Sequence, residues 1–427
     1  MHILVCGANG FIGRHLCVAL EAAGHRVTRG VRRASSPGEV DIDFARDVVP
    51  EAWLPRLNGI DAVVNAVGIL REGGNSRFDA IHRDAPCALF DACERLAVGR
   101  VVQISALGAT TTPYMLTKRA ADAHLMRSTL DWVVLRPSLV VGPDGDSSRM
   151  FRRLASLPLV GLPGRGDQLL QPVHIDDLCE AVVRAVAGDA PANRVIDAVG
   201  PCAMTYRDML AAYRTAMGLP PPVWLPVPMP LMRTVAHVAA WLPQRVLAPD
   251  TLRMLEAGNA GDPMPFTAWI GRAPKGTDAW SGGVPSAMLR YEAIGAWAHP
   301  LLRVSLATVW IVTGILSLWV YPVAASLELL AQTGLHGDIA RMAMLGAGWL
   351  DIAFGLATLA LPSRLLWRSQ MALIVAYSAI IAACLPDFWL HPFGPLLKNL
   401  PILAVLLVLD ASQVVHRTPG SNVTSNR

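Results

Sequence analysis

Tyr114-Met-Leu-Thr-Lys118 sets a phenol and an ammonium four residues apart. On a helix, positions i and i+4 share one face. A free phenol, with a pKa near ~10, exchanges protons poorly at neutral pH. A neighbouring ammonium stabilises the phenolate and lowers that pKa, which general acid–base work on a substrate oxygen requires. The chain has 6 Tyr and three Lys (Lys118, Lys275, Lys398) in 427 residues. Chance alone supplies only about 0.04 such pairs. A second motif, Gly7-Ala-Asn9-Gly10-Phe11-Ile12-Gly13, directly follows the short apolar run His2–Cys6. Glycines at this spacing permit a tight turn and bring backbone N–H groups close to a pyrophosphate at a helix N-terminus. The chemistry suggested is proton transfer beside a bound dinucleotide.

Both motifs need rigid elements to hold them. The first 200 residues alternate short apolar runs with helical spacing. Strands are expected at His2–Cys6, His25–Val31, Ala62–Ala66, Arg100–Ser105 and Trp132–Arg136. Helices are expected from Phe11 to Ala23, Arg77 to Leu96 and Tyr114 to Ser128. That alternation predicts a Rossmann-type, doubly wound parallel α/β sheet. An acid often closes the second strand and holds the ribose 2′-OH. Here Arg32 and Arg33 stand in that place, and a guanidinium fork suits a 2′-phosphate, so NADP(H) is preferred with NAD(H) as the alternative.

The glycine motif, Asp43-Phe44, Asn65-Ala66-Val67-Gly68 and Leu135-Arg-Pro137-Ser138…Gly142-Pro143 resemble the short-chain dehydrogenase/reductase superfamily, in its extended and atypical branch. Gln171-Pro-Val-His-Ile-Asp-Asp-Leu178 is similar to a late motif of that branch, the NAD-dependent epimerase/dehydratase type. The nearest likeness is to the atypical subgroup that includes the nucleotide-binding accessory subunit of respiratory complex I, over about residues 1–220. The resemblance implies that Asp43 and Ala66–Gly68 flank the adenine side and that Pro137 lies beside the nicotinamide. It also implies that Ser105 hydrogen-bonds the substrate oxygen while Tyr114 is the acid/base and Lys118 tunes it. Two features depart from the family pattern. Ser105 and Tyr114 are only nine residues apart, and His82 stands where extended members carry Asn.

Composition separates the chain into two materials. It is 53% hydrophobic, only 16% charged, and has a mean hydropathy of +0.39. Four apolar runs, Leu301–Tyr321, Ala340–Leu361, Leu366–Leu385 and Leu396–Val415, are each long enough to cross a ~30 Å hydrocarbon core. Trp389–Leu400 and Ser326-Leu-Glu-Leu-Leu330 resemble DoxX-like four-helix membrane domains, a family that includes quinone-linked members. Arg290, Arg303, Arg364, Arg368, Arg417 and Arg427 outnumber Arg341 and Lys398 at the opposite ends, which predicts both termini on the cytoplasmic side of the inner membrane. The N-terminus lacks a basic n-region and a long apolar core, so no signal peptide is expected. Asp351 falls near mid-span, where a carboxylate costs roughly 2.5–3.5 kcal/mol. It is a candidate hydrogen-bond partner of Tyr377 or a proton-site group. Asp410 lies nearer the cytoplasmic end, and His391 and Lys398 lie at the outer edge.

The expected organisation is a nucleotide-binding domain over 1–200, a small helical substrate lobe and linker over 201–300, and a C-terminal four-helix transmembrane bundle over 301–427. The seven scattered Cys form no CxxC pair and read as reduced thiols without a metal site. A net charge of +4 with no dense basic run argues against a nucleic-acid partner. The function expected first is a membrane-anchored NAD(P)(H)-dependent oxidoreductase on a lipophilic carbonyl, alcohol or quinone. The alternatives are a non-catalytic NADP(H)-binding subunit of a membrane redox assembly and a sugar-nucleotide epimerase/dehydratase. Arg32→Asp and Arg33→Asp are predicted to weaken NADPH binding while sparing NADH. Titration of both cofactors checks this, and unchanged NADPH affinity overturns the 2′-phosphate assignment.

Overall fold

The computed structural model describes residues 1–74, 76–109, 111–187, 191–239, 249–390 and 394–413. His391, Arg417, Arg427 and the last residues of the fourth apolar run lie outside them. The chain forms two compact units, Met1–Ile294 and Gly295–Arg427.

Unit one is built on β1 (His2–Cys6), α1 (Phe11–Ala22), β2 (Arg26–Val31), β3 (Glu39–Asp41), β4 (Ala62–Asn65), α2 (Ala85–Arg95), β5 (Arg100–Ile104), α3 (Pro113–Leu125) and β6 (Trp132–Pro137). It continues through β7 (Val140–Val141), α4 (Asp146–Ser156), β8 (Leu159–Pro163), β9 (Leu169–Leu170), β10 (Val173–His174), α5 (Ile175–Ala187) and β11 (Arg194–Ala198). Seven parallel strands run in the order β11-β6-β5-β4-β1-β2-β3. β1 and β4 are near-continuous apolar runs because both sheet faces are covered. One apolar core packs α1 and α5 on one face, and a second packs α2 and α3 on the other. In α1, Gly13, Leu16, Cys17 and Leu20 are buried, the i, i+3, i+4, i+7 stripe of a half-buried helix. The order reverses between β1 and β4, so a crevice opens at their C-terminal ends.

The stretch after β11 belongs to the same unit up to Ile294. It carries β12 (Met204–Thr205), α6 (Tyr206–Ala216), β13 (Val223–Val227), α7 (Met229–Ala239), α8 (Pro249–Ala257) and α9 (Pro263–Ile270). Its strands pair back onto earlier ones, β12 with β9 and β13 with β8, so this stretch is not purely helical. A third core joins α4, α6 and β8 around Phe151, Tyr213 and Trp280.

Unit two holds most of α10 (Ser286–Ile315), then α11 (Val323–Gln332), α12 (Gly337–Ala360), α13 (Arg364–Cys384), α14 (Asp387–Leu390) and α15 (Asn399–Ser412). Among the described residues three helical stretches are long and apolar enough to cross a membrane: Ser286–Val320, Gly337–Ala360 and Arg364–Cys384. Within the described residues the fourth run folds as the 14-residue α15, about 21 Å long at 1.5 Å per residue. The first span begins well before Leu301, because helical spacing continues upstream through Ser286. The interior of α12 is a stripe of Ala340, Met344, Gly348, Asp351, Gly355 and Thr358. Polar groups inside this unit bond one another: Trp310 Nε1 donates to Gln370 Oε1 (2.9 Å), and Gln370 Nε2 donates to Thr358 Oγ1 (2.9 Å). Asp351 is buried and its Oδ1 has no hydrogen-bond partner; a hydrogen bond to Tyr377, the expected partner, is not seen among the described residues. Asp410 meets Arg368 at 3.4 Å, and Lys398 stands at the N-cap position of α15 without a side-chain capping bond.

Asp177, fully buried at the start of α5, ties the chain after α9 to the sheet. Its Oδ1 forms an ion pair with Arg272 Nη2 (2.6 Å), and its Oδ2 accepts the Lys275 N–H (2.7 Å). When Asp177 is removed Arg272 keeps Glu180 as a partner (2.6 Å), while the Lys275 N–H loses its acceptor. Asp177→Ala is predicted to destabilise unit one by about 1–3 kcal/mol, read as a lowered thermal midpoint of the full chain in detergent.

Candidate active site

The N-terminal turn has the geometry of an anion cradle. Gly7 adopts φ +81°, which favours glycine, and its N–H donates to the Gly30 carbonyl (3.1 Å). A Cβ on Gly13 would lie 2.0 Å from the Gly7 carbonyl oxygen, so only glycine lets α1 approach the turn this closely. Gly10 is the N-cap of α1, no side chain caps it, and no acidic residue sits in the first turn. The first N–H groups of the helix, around Phe11, Ile12 and Gly13, are therefore left for an anionic ligand. Asn9 and Gly10 are exposed at the mouth. These features fit the diphosphate of a dinucleotide. Across the cleft, Gly7 faces Ala66 and Val67 at the end of β4. Asn65, buried, holds that loop by accepting the Val67 N–H (3.2 Å) and donating to Gln103 (2.8 Å). Phe11 packs against Gly142 and Gly145, and Asp144 beside them binds Arg14 (2.6 Å) and His15 (3.0 Å).

Arg32 and Arg33 follow β2 and are exposed, with no ion-pair partner among the described residues. Asp43 follows β3 half-buried and turns back on its own segment, accepting from the Ala45 N–H at 3.0 Å. Pro137 is buried at the end of β6, and its carbonyl accepts the Leu107 N–H at 2.9 Å.

Tyr114 and Lys118 lie one turn apart on α3, whose N-cap Thr112 accepts the Met115 N–H. Lys118 is buried, and its ammonium donates to the carbonyls of Val67 and Ile104, both at 3.1 Å. It thus joins the ends of β4 and β5. Burial lowers its pKa to about 8, with Asp122 opposing the shift. A Cβ on Gly68 would sit 3.3 Å from this ammonium. Tyr114 is half-buried, and burial pushes its phenol up to about 12. This corrects the expected direction of tuning: the ammonium is bound to carbonyls, and the apolar surroundings dominate at the phenol.

Ser105 is buried at the end of β5. Its hydroxyl donates to Asp122 Oδ2 at 2.7 Å instead of pointing into the cleft as a free donor. Asp122 is fully buried and also meets Arg136 Nε at 3.2 Å. Burial raises its pKa, while Ser105, Arg136 and Lys118 oppose the rise. Asp122 was missed by sequence reasoning. The available signal was its position four residues after Lys118, on the same face of α3.

His82 sits in a π-helical segment, Asp79–Asp84, a distortion that recurs at functional sites. Its Nε2 accepts the Ile69 N–H at 3.0 Å. Thr117 donates to the carbonyls of Pro113 and Tyr114, so its oxygen, 3.4 Å from Nδ1, serves as acceptor and the Nδ1–H tautomer is assigned. The ring stacks on Phe78 and meets Tyr114 edge-on at 5.1 Å. His82 therefore braces the β4 loop against the aromatic wall beside Tyr114. A cavity of about 260 Å³ opens at the N-cap of α3, lined by Ala109, Thr111, Thr112 and Arg253.

Burial, with Lys118 nearby, lowers the His82 pKa to about 3. Above ~6.5 the imidazole is neutral in both folded and unfolded chains. As pH falls from 6.5 toward 3, the unfolded chain takes a proton that the folded one refuses, so stability is progressively lost. Thermal midpoints between pH 7 and 4 are predicted to fall more steeply for wild type than for His82→Asn, and equal slopes refute the assignment.

Residues 3–197 match the NAD dependent epimerase/dehydratase family, and residues 307–407 match the DoxX-like family. An uncharacterized protein of Mycobacterium tuberculosis is 27% identical over 241 residues, 56% of this chain and 25% of that protein. The chain thus spans about a quarter of the length of the first curated relatives it matches. The 2-alkyl-3-oxoalkanoate reductase of Stenotrophomonas maltophilia is 29% identical over 228 residues, covering 45% of this chain and 67% of that one. The ceramide reductase of Caulobacter vibrioides is 24% identical over 190 residues, covering 42% and 59%. The solved structure of MoeE5 with UDP-glucuronic acid and NAD superposes with a TM-score of 0.51 at 19% identity, over 68% of this chain and 99% of that one. That likeness is one of fold. The chain joins a Rossmann domain of the NAD dependent epimerase/dehydratase type to a DoxX-like domain that carries apolar, membrane-length helices.

Proposed function

We propose that the protein is a membrane-anchored NAD(P)(H)-dependent oxidoreductase acting on a lipophilic carbonyl, alcohol or quinone. The observation that carries this is the buried Lys118 ammonium, fixed at the joined ends of β4 and β5 one turn from Tyr114. The bound nicotinamide supplies or accepts the hydride. Gly7–Gly13 hold the diphosphate, and the exposed Arg32 and Arg33 support a 2′-phosphate and hence NADP(H). An ammonium has three donors, and two are used on carbonyls, which leaves one for a ribose hydroxyl. With a pKa near 12, Tyr114 keeps its proton at neutral pH and is suited to donate it to a carbonyl oxygen as that carbon is reduced. Asp122 holds Ser105, whose oxygen is then an acceptor for a substrate hydroxyl.

The names of two relatives, a ceramide reductase and a 2-alkyl-3-oxoalkanoate reductase, support reduction of a carbonyl compound with long apolar substituents. The apolar helices of unit two support anchoring in a bilayer, and the arginine distribution supports cytoplasmic termini at an inner membrane. We assign 1–200 to cofactor binding, 201–300 to substrate access and 301–427 to the membrane. A second reading, a non-catalytic NADP(H)-binding subunit of a redox assembly, is favoured by one observation. The Ser105 hydroxyl is committed to Asp122 and so is not free to donate to a substrate carbonyl.

Tyr114→Phe is predicted to lower turnover about 10²–10⁴-fold on long-chain ketones while NADPH binding, read by cofactor fluorescence, is retained. An unchanged rate removes Tyr114 from the mechanism. A wild-type chain that binds NADPH and leaves it reduced against ketones, aldehydes and quinones supports the second reading.

A further inference from the structure

We propose that unit one itself lies on the lipid surface through the outer face of the β8–β13 ribbon and the start of α7. In this ribbon Leu159 pairs with Val223, and Gly161 pairs with Leu225. Side chains alternate along a strand. Val160 and Leu162 point inward and are buried in the third core. The outward set is Leu159 (50% exposed), Val223 (65%) and Leu225 (47%), with bare Gly161 between them. A ribbon packed on one side is expected to be polar on the other, and this one is aliphatic on both. The apolar surface continues through Pro226, Pro228 and Pro230 to Leu231, 55% exposed at the start of α7. The ten residues Val223–Met232 contain no charge.

Three observations favour lipid as the occupant. First, the chain carries its own membrane-length helices, and the first, Ser286–Val320, starts within unit one. Chain continuity through α10 makes the second contact effectively intramolecular, so modest apolar area suffices. Second, Arg153 and Arg165 are exposed in the segments that flank β8. Exposed Arg side chains suit a headgroup layer that includes anionic lipids. Asp167 is an acidic counterweight in that stretch. Third, Pro226 within β13 lacks an N–H donor, which makes this short edge a poor template for strand addition by another copy. The surface also leads to the site. α7 packs on α8, whose Arg253 lines the cavity by Thr111 and Thr112, and whose Met254 lies by Met115 of the catalytic helix. A lipid-borne substrate would then reach Tyr114 beneath these helices.

The inference rests on the membrane reading and not on the chemistry. The test uses the full chain with Cys202→Ser and Cys384→Ser, which remove the exposed thiols. It is placed in nanodiscs of phosphatidylcholine and phosphatidylglycerol. An environment-sensitive fluorophore is attached at Val223→Cys, Leu225→Cys or Leu231→Cys. Val18→Cys on α1, equally exposed, is the control, and the chain without an added cysteine is the blank. Blue-shifted emission, severalfold stronger quenching by brominated acyl chains than at Val18, and weaker quenching by iodide are expected. Introducing Val223→Asp and Leu225→Asp together should abolish the shift at Leu231→Cys without changing NADPH binding. Quenching equal to that at Val18 overturns the proposal, as does energy transfer between labelled copies at these sites, which assigns the surface to a second copy. A label at Leu356→Cys in α12 must be quenched by the brominated chains. If it is not, the membrane reading itself fails. Tyr114→Phe retaining full lipid quenching separates this proposal from the catalytic one.

Discussion

A charged ammonium in the interior of an α/β domain constrains much of what surrounds it. Lys118 is tolerated because two carbonyls, of Val67 and Ile104, turn toward it at the strand ends. Those carbonyls are free because β4 and β5 stop pairing there, at the edge of the crevice left by the strand-order reversal. The Gly68 backbone comes close because it has no side chain. Asp122, one turn further along α3, adds a countercharge that is itself satisfied by Ser105 and Arg136. Removing any of these leaves a buried charge underpaired, which low-dielectric surroundings penalise heavily. The β4 loop that faces the glycine turn and the helix that carries Tyr114 are thus held by one polar cluster.

The same cluster explains why the phenol behaves differently from the expectation drawn from spacing. Four-residue spacing places Tyr114 and Lys118 on one face but leaves open what the ammonium bonds to. In the fold the ammonium is drawn to backbone oxygens, and the phenol faces the His82 and Phe78 rings. Desolvation then dominates and the proton is retained. Such a group suits proton donation. His82, kept neutral by burial, contributes no charge and acts by bonding the Ile69 N–H and walling the site.

Unit two follows another logic. Where lipid replaces water, interior polar groups must pair within the protein. Trp310, Gln370 and Thr358 do so. Asp351, between Gly348 and Gly355 on the interior stripe of α12, keeps an unpaired oxygen.

By itself the sequence determined the alternation of strands and helices, the glycine turn before α1, the Tyr–Lys pair and the apolar last third. Each is a local pattern whose period or composition is fixed by backbone geometry and solvent. Gly13 is an example, since its close approach to Gly7 is written in the motif. Only the tertiary structure decided the roles of Ser105, Asp122 and His82. Their partners come from elements 13 to 35 residues away, and a hydroxyl or imidazole takes whichever acceptor or donor the packing brings within reach. Only the structure, likewise, showed where the helices of the last third begin and end, with three of membrane length among the described residues. An apolar run states how much greasy chain there is, while helix ends depend on where backbone hydrogen bonding stops. The exposed outer face of β8 and β13 was hidden for the same reason, because the pairing of Leu159 with Val223 joins residues 64 apart and no local period records it.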